Sequence, residues 1–590
     1  MPDYTPPIED MKYLLNEIFH VDDLLAKLPA YSEVNSELIA SILEEAGRFC
    51  AEVIRPLNLS GDGEGSRLEN GVVRTPKGFR EAYKAFADAG WPSLSAEPEY
   101  EGQGLPRVLQ ILVDEMLSAA NLSFGLFPGL TRGATEAIAQ HANEDLKKTY
   151  LPKMVSGVWT GAMALTEAQA GTDLGLLKAR AEPCPDGSYA VTGSKIFISS
   201  GDHDLSENII HLVLARLPGA PAGTRGISLF LVPKILVKPD GSLGQRNHVN
   251  VGSLEHKMGI HAQPTCVMNY DGAQGWLVGE PNRGLNAMFM MMNAERLFVG
   301  VQGLGLADAS YQTAAAYAKE RLQGRAADSG NGPVPIISHP DVRRMLLTMT
   351  SFVEAARALT IWTALEMDKE QHHPDAKKRE IAAGQVALLT PVIKAALTDF
   401  GFESAVLGQQ VLGGHGYIRE WGQEQFVRDA RIAQIYEGTN GVQAADLVTR
   451  KLTMTDGQLP KHFFSLIEES LKEAAAQKGA EEFTGPLHTA LDTLKKITAR
   501  LSDGEIANPI EQGAAATDYL RLFALVAFGW MWLRMAVNAL EQGPAATPLH
   551  QRKISIARFF FARILPQTVS LGQMIEAGGK TLMELDAAAF

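Results

Sequence analysis

From about Trp159 to Leu277 the chain changes texture, and that change limits the folds open to it. Before it, apolar residues recur at helical spacing through a block from about 36 to 157. Within it, short β-type runs alternate: Tyr189-Ala190-Val191-Thr192, Lys195-Ile196-Phe197-Ile198, Ile209–Leu214, Ile227–Val232 and Thr265–Tyr270. Gly, Asp and Pro turns separate the runs, the pattern of an antiparallel sheet or small barrel, with Val237–Gly252 read as a long loop. Helical spacing returns at Gly284. It predicts three long helices, Asn286–Leu322, Asp341–Lys369 and Ala376–Gly408, with a polar loop at Gly324–Pro335. The reading is an α+β chain in five segments: a helical extension at 1–35, an N-terminal helical domain at 36–157, a central antiparallel β domain at 158–282, a C-terminal four-helix domain at 283–455 and an additional helical domain at 456–590. A chain of 590 residues is too long for one core, and units of about 100–200 residues fit this division.

Charge and cysteine content exclude several function classes. The net charge of −14 argues against nucleic acid as a main partner, because phosphate binding needs a basic face, yet it leaves room for a local basic pocket. The three cysteines, Cys50, Cys184 and Cys266, are far apart and show neither a disulfide framework nor zinc-ligand spacing, which fits a reducing compartment. The start, MPDYTPPIED, has the form of neither a signal nor a transit peptide, so the cytoplasm is the expected location. The strongest apolar run, Leu522–Leu533, is shorter than the roughly 18–20 residues of a membrane span and reads as a buried helix.

The most chemically suggestive stretch is Arg428–Gln443, RDARIAQIYEGTNGVQ. It begins as a helix and breaks at Glu437-Gly438-Thr439-Asn440-Gly441, where Thr and Asn can cap a following helix over Val442–Lys451. Glu437 therefore sits at a sharp joint, beside Ile435 and Tyr436. A carboxylate held against apolar walls becomes more basic, as a general base must be. An ordinary helix-ending turn is the alternative.

Three further segments carry small residues and hydroxyls. Met163–Asp173 is an apolar strand entering a loop with Thr166, Glu167, Gly171 and Thr172, of a kind that brings backbone N–H groups close to a phosphate or flavin edge. Gly193–Gly201 places Phe197 and Ser199 two apart, hence on one strand face, where an aromatic and a hydroxyl suit a planar cofactor. Gln410–Tyr417 holds Gly413, Gly414 and Gly416. Together with Gly303 and Gly305 these evoke a dinucleotide fingerprint, but neither set follows a strand in a βαβ unit. A β-turn, a core aromatic and a loop histidine, His415, are the plain readings of the three.

Taken in order, Thr166-Glu167…Gly171-Thr172-Asp173, Lys195–Gly201, Gly413-Gly414-x-Gly416-Tyr417 and Arg428-Asp429-Ala430-Arg431…Tyr436-Glu437-Gly438-Thr439-Asn440 resemble the acyl-CoA dehydrogenase family over about 36–455. The lead-in and tail resemble its long branch, whose substrates include fatty acyl-CoA and 3-methylmercaptopropionyl-CoA thioesters. The resemblance implies FAD, an acyl-CoA substrate, an electron-transfer flavoprotein as acceptor and a homodimer. It makes Glu437 the catalytic base. It matches Thr166, Thr172, Phe197, Ser199, Arg321, Gln410, Gly413, Gly414 and Thr439 to FAD contacts, and Arg296 and Gly438 to the substrate region. Phe197 stands where many relatives have Trp, and Arg321-Leu322-Gln323-Gly324 departs from the usual Arg-x-x-Phe-Gly. Arg296 reads equally as an ion-pair residue with Glu295 nearby. The acyl pocket is expected between Leu122–Gly133 and the Met288–Met292 run, a soft wall or plain core. An acyl-CoA oxidase, and a scaffold that has lost catalysis and binds a partner such as nucleic acid, stay open as rivals.

Overall fold

The computed structural model describes residues 4–325, 332–502 and 508–590, and at position 290 the backbone alone. Part of the expected Gly324–Pro335 loop thus lies outside the described residues. Two compact units emerge: a β-containing unit of Arg48–Gln110 and Ala120–Phe298, and a helical unit of Met1–Gly47, Ile111–Ala119 and Val299–Phe590.

In the β unit seven strands share one sheet: β1 Trp159–Ala164, β2 Arg180–Pro183, β3 Tyr189–Ser199, β4 Asn208–Arg216, β5 Ile227–Pro233, β6 Val249–Leu254 and β7 Thr265–Val278. Strand β7 pairs with β3 and β5, β5 with β4, β4 touches β2, and β2 pairs with β3, so these five close into a barrel. β1 extends it from β4 and β6 from β7. The two short runs read at 189–198 are one strand, β3. The sheet is also not antiparallel throughout, because β1 runs parallel to β4, Trp159 facing Asn208 and Ala164 facing Val213. Alternation sets which face a side chain takes and says nothing of strand direction; the long Leu165–Glu207 connection lets β4 return in the direction of β1. The loop read at Val237–Gly252 is a second correction. Ile235–Val237 and Leu243–Arg246 form a hairpin, and β6 follows. Its exposed polar residues hid the period; the tip closes through Gly241 N–H to the Lys238 carbonyl, 2.8 Å, and Ser242 N–H to Asp240 Oδ1, 3.0 Å.

β4 is buried on both faces, which explains why Ile209–Leu214 is apolar on both parities but for His211, whose Nδ1 pairs with the Tyr270 hydroxyl at 2.7 Å. Ile209 and Val213 join Val191, Ile198, Phe230, Val232 and Tyr270 in one core, while Ile210, Leu212 and Leu214 pack with Ile138, Leu151, Met154 and Trp159 in another. Met288 and Met291 belong to that second core, so part of the methionine run is ordinary packing; the Met290 side chain lies outside the described residues.

The Arg107–His141 helix is interrupted at Asn121, φ −162° and ψ 99°, whose Oδ1 accepts from Phe124 N–H at 3.1 Å and caps the second half. In the helical unit, Gly284–Glu320 contributes its portion from Val299, beside Pro340–His372 and Ala376–Leu412. A Cβ added at Gly303 would lie 2.3 Å from the Leu397 carbonyl oxygen; glycine is there so that two helix backbones can cross, and no nucleotide fingerprint is needed to explain it. Leu522–Leu533 is buried within the Pro509–Glu541 helix. That helix and Ala376–Tyr417 are long and apolar enough to cross a membrane, but their apolar windows are 83% and 72% buried inside the protein.

A buried charge network joins the first and last segments to the long helices. Arg357 donates to Glu115 Oε1 at 2.6 Å and to Asp10 Oδ2 at 2.5 Å. Lys553, without exposed surface, donates to Glu354 Oε2 at 2.6 Å and also to Asp10. Burial opposes ionisation of Asp10, but Lys553 and Arg357 prevail and hold it down at about 2. Burial pushes Asp308 up to about 7, against the pull of Arg357 and with Glu115 and Asp10 adding repulsion.

Candidate active site

The helix Gln423–Ala433 ends ahead of the expected break at Glu437, which sits at φ +56° and is followed by Gly438 at φ +84°. Two consecutive left-handed residues reverse the chain. The first costs about 1–3 kcal/mol for a side-chain-bearing residue, and the second explains the glycine without any appeal to a ligand. Thr439 then caps the next helix, Asn440–Asp446, its hydroxyl accepting from Val442 N–H at 3.2 Å. Ile435 is 46% exposed, so the apolar wall expected beside Glu437 is not supplied by that residue. Tyr436 is partly buried, and its hydroxyl donates to Gln302 Oε1.

What holds this turn was not read from the sequence. Lys394, on the Ala376–Leu412 helix and without exposed surface, donates to the Gly438 carbonyl at 2.8 Å and to Asn440 Oδ1 at 2.9 Å. Asn440 Nδ2 reaches back to the same helix, donating to Asp399 Oδ1 at 2.7 Å and Thr398 Oγ1 at 2.9 Å. Gln443 Nε2 donates more weakly, 3.3 Å, to the carbonyls of Glu437 and Gly438. The available signal was one lysine inside the apolar run Ala387–Leu397.

In the β unit, Thr166 and Ser199 are partly buried, while Thr172 and Phe197 are exposed, Phe197 by 59%. Phe197 is at φ +60°, and the β3–β7 register shifts between Ile198 opposite Cys266 and Lys195 opposite Met268. This bulge breaks the alternation from which the shared face of Phe197 and Ser199 was argued. Its consequence is that Lys195 turns inward, fully buried, while Phe197 turns out. Lys195 Nζ donates to the Leu165 carbonyl at 2.9 Å and to Glu167 Oε1 at 2.8 Å, gripping both neighbours of Thr166. Glu167 also accepts from the N–H groups of Lys178 at 2.7 Å and Ala179 at 3.0 Å. Burial opposes its charge, but Lys195 and these donors hold its carboxyl below the usual range. The Thr166 carbonyl accepts from Ile196 N–H at 2.9 Å, so the Thr166 loop and the Phe197–Ser199 segment are fastened to each other.

The remaining sequence-predicted residues belong some to one unit and some to the other. Arg296 is buried beside Glu295 in sequence, on the Gly284–Glu320 helix of the β unit. Gln410, Gly413 and Gly414 are exposed at the end of Ala376–Leu412, with Gly413 N–H donating to the Gln410 carbonyl. His415 stacks on Trp421, centroids 4.3 Å apart, and Tyr317 OH bonds its Nδ1 at 2.9 Å, a structural role. Arg321 is exposed just after the Gly284–Glu320 helix. Between Leu122–Gly133 and the helix that carries Met288–Met292 the packing is close: a Cβ at Gly133 would lie 3.0 Å from Met291 Cγ, and one at Gly129 2.3 Å from the Phe298 ring.

The donor set of the β unit fits a flavin: hydroxyls on a fastened loop and strand end, an outward aromatic, and open space around Gly171. Comparison with known proteins gives the same answer. Models of the acyl-CoA dehydrogenase N-terminal, middle and C-terminal domains match residues 36–158, 162–273 and 282–452, and an acetyl-CoA dehydrogenase C-terminal-like model matches 463–586. The 3-methylmercaptopropionyl-CoA dehydrogenase of Ruegeria pomeroyi is 43% identical over 98% of this chain and 99% of its own. A butyryl-CoA dehydrogenase of Syntrophomonas wolfei is 33% identical over 100% and 99%. The fold matches the Bacillus anthracis acyl-CoA dehydrogenase complexed with FAD, TM-score 0.75, 20% identity, over 93% of this chain and 90% of that one. A helical–β–helical chain with a further helical domain, matched almost end to end by such relatives, belongs to the acyl-CoA dehydrogenase family, FAD-dependent oxidoreductases that act on the CH–CH bond of acyl-CoA thioesters.

Proposed function

We propose that this chain converts 3-methylmercaptopropionyl-CoA to methylthioacryloyl-CoA, with Glu437 as the base. The observation that carries the assignment of the base is the turn itself: a carboxylate-bearing residue kept at φ +56°, next to a carbonyl tied to a buried lysine. Glu437 takes the α-proton on its carboxylate. A carboxylate is too weak for that task unless the developing enolate oxygen is stabilised, and the peptide N–H of Glu437 is assigned that work. Entry of the acyl chain excludes water from the carboxylate and raises its basicity. FAD, when bound, supplies the acceptor for the hydride leaving the β-carbon. Thr166, Thr172, Phe197, Ser199, Arg321, Gln410, Gly413, Gly414 and Thr439 are the residues assigned to hold it, and a second copy of the chain would complete the contacts. Exposed Tyr417 at 82% and Ile418 at 47%, close in sequence to Gly413, support a homodimer. Arg296 and Gly438 contact the substrate, and an electron-transfer flavoprotein removes the electrons.

The Ruegeria relative supports the sulfur-containing substrate. The Syntrophomonas relative supports a second reading, a straight-chain acyl-CoA. A panel of thioesters, straight chains of several lengths and 3-methylmercaptopropionyl-CoA, assayed with an artificial electron acceptor, decides between them by kcat/KM. The proposal expects the methylthio substrate to rank first; a straight chain ranking first by tenfold or more replaces it. Peroxide released in step with turnover would make the enzyme an oxidase.

A further inference from the structure

We infer that Lys394 is a positioning residue for the base, an inference that rests on reading Glu437 as that base. Glu437 and Gly438 occupy left-handed backbone conformations, which a chain does not keep without outside support. Lys394 Nζ donates to the Gly438 carbonyl at 2.8 Å, a closer bond than the 3.3 Å from Gln443 Nε2 to the same carbonyl. The same ammonium takes Asn440 Oδ1 at 2.9 Å. The amide end of Asn440 donates to Asp399 at 2.7 Å, to Thr398 at 2.9 Å and to the Ala395 carbonyl at 3.2 Å. One helical segment, 394–399, thus grips the turn directly at Gly438 and again through Asn440. Swinging the Gly438 peptide moves the backbone from which the Glu437 carboxylate projects. Proton transfer tolerates little of this: a misplacement of about 1 Å from a change outside the chemistry costs on the order of 10²-fold in rate. A lysine suits the task because its three donors serve two oxygens from one buried point.

Lys394→Met keeps the length of the side chain and removes the donors. Lys394→Gln keeps a donor and removes the charge. The holoenzyme variants are measured for flavin content, melting temperature, dissociation constant of a non-reactive acyl-CoA analogue, and kcat per bound flavin, with Glu437→Gln alongside. The inference expects Lys394→Met to lose roughly a hundredfold in kcat, with flavin content near one per chain and analogue binding within about threefold, and Lys394→Gln to recover part of the loss. Unchanged kcat per bound flavin in Lys394→Met, with Glu437→Gln inactive, overturns the inference and leaves the base assignment standing. If Lys394→Met does not fold, Lys394→Gln decides on the same terms: a drop in kcat at unchanged analogue binding supports it, and kcat equal to wild type overturns it. An active Glu437→Gln overturns the base assignment, and the inference with it.

Discussion

The Thr166 loop of the β unit and the Glu437 turn of the helical unit are each fastened by a lysine with no exposed surface, but the two lysines meet different partners. Lys195 faces a carboxylate, Glu167, which also accepts from two backbone N–H groups and from Gln169 Nε2. Lys394 is bonded to a peptide carbonyl and a side-chain amide. An ion pair fixes a loop strongly and makes its integrity depend on both charges. The bonds from Lys394 to the Gly438 carbonyl and Asn440 Oδ1 act on the local direction of the backbone. The first arrangement suits a platform that must stay in place for a large cofactor, the second a turn whose exact aim matters.

The largest effect should come from breaking the ion pair. Lys195→Met leaves Glu167 buried without its cation and is expected to cost about 3–5 kcal/mol, read as a fall in melting temperature together with loss of bound flavin. Glu167→Gln should lose less, because the glutamine can still accept one backbone N–H. Equal losses in the two variants would show that the backbone donors, and not the cation, hold the loop. Lys394→Met should cost about 1–3 kcal/mol, because the Gly438 carbonyl and Asn440 Oδ1 lose their close donor and keep only bonds of 3.3 Å from Gln443 and Thr398. If it destabilises as much as Lys195→Met, the contrast between the two lysines fails.

Both lysines show where sequence reading stops. Strand runs, helices and the Glu437 joint follow from periodicity and from Gly, Asn and Thr at the break, and these were legible. The bulge at Phe197 was not, because an extra residue in one strand leaves no mark on the run itself, yet it decides that Lys195 points in and Phe197 out. The parallel pairing of β1 with β4 was hidden for a related reason: direction is a property of the connection. The partners of Lys394 lie 44 and 46 positions along the chain, a separation that no local pattern encodes.

A smaller effect tests a third buried cluster, which lies at neither loop. With its carboxyl pushed up to about 7 by burial, Asp308 binds a proton in the folded state that the unfolded chain releases near pH 4. The folded state therefore loses stability as pH rises from about 4 through about 7. Asp308→Asn removes that dependence, so its melting temperature should fall less than that of wild type between pH 5 and pH 8. An unchanged slope would place the titration elsewhere. Neither flavin content nor kcat per flavin should shift, in contrast to the lysine variants.

The central claim is that the Glu437 carboxylate abstracts the proton. Its most direct test is rapid mixing of flavin-loaded Glu437→Gln with a good acyl-CoA substrate, following the bleaching of flavin absorbance in a single turnover. Loss of a general base costs about 10²–10⁴-fold. The account predicts that the variant folds, keeps its flavin, binds the thioester and bleaches at least about 10⁴-fold more slowly than wild type, at the top of that range. Bleaching within tenfold of the wild-type rate would contradict it.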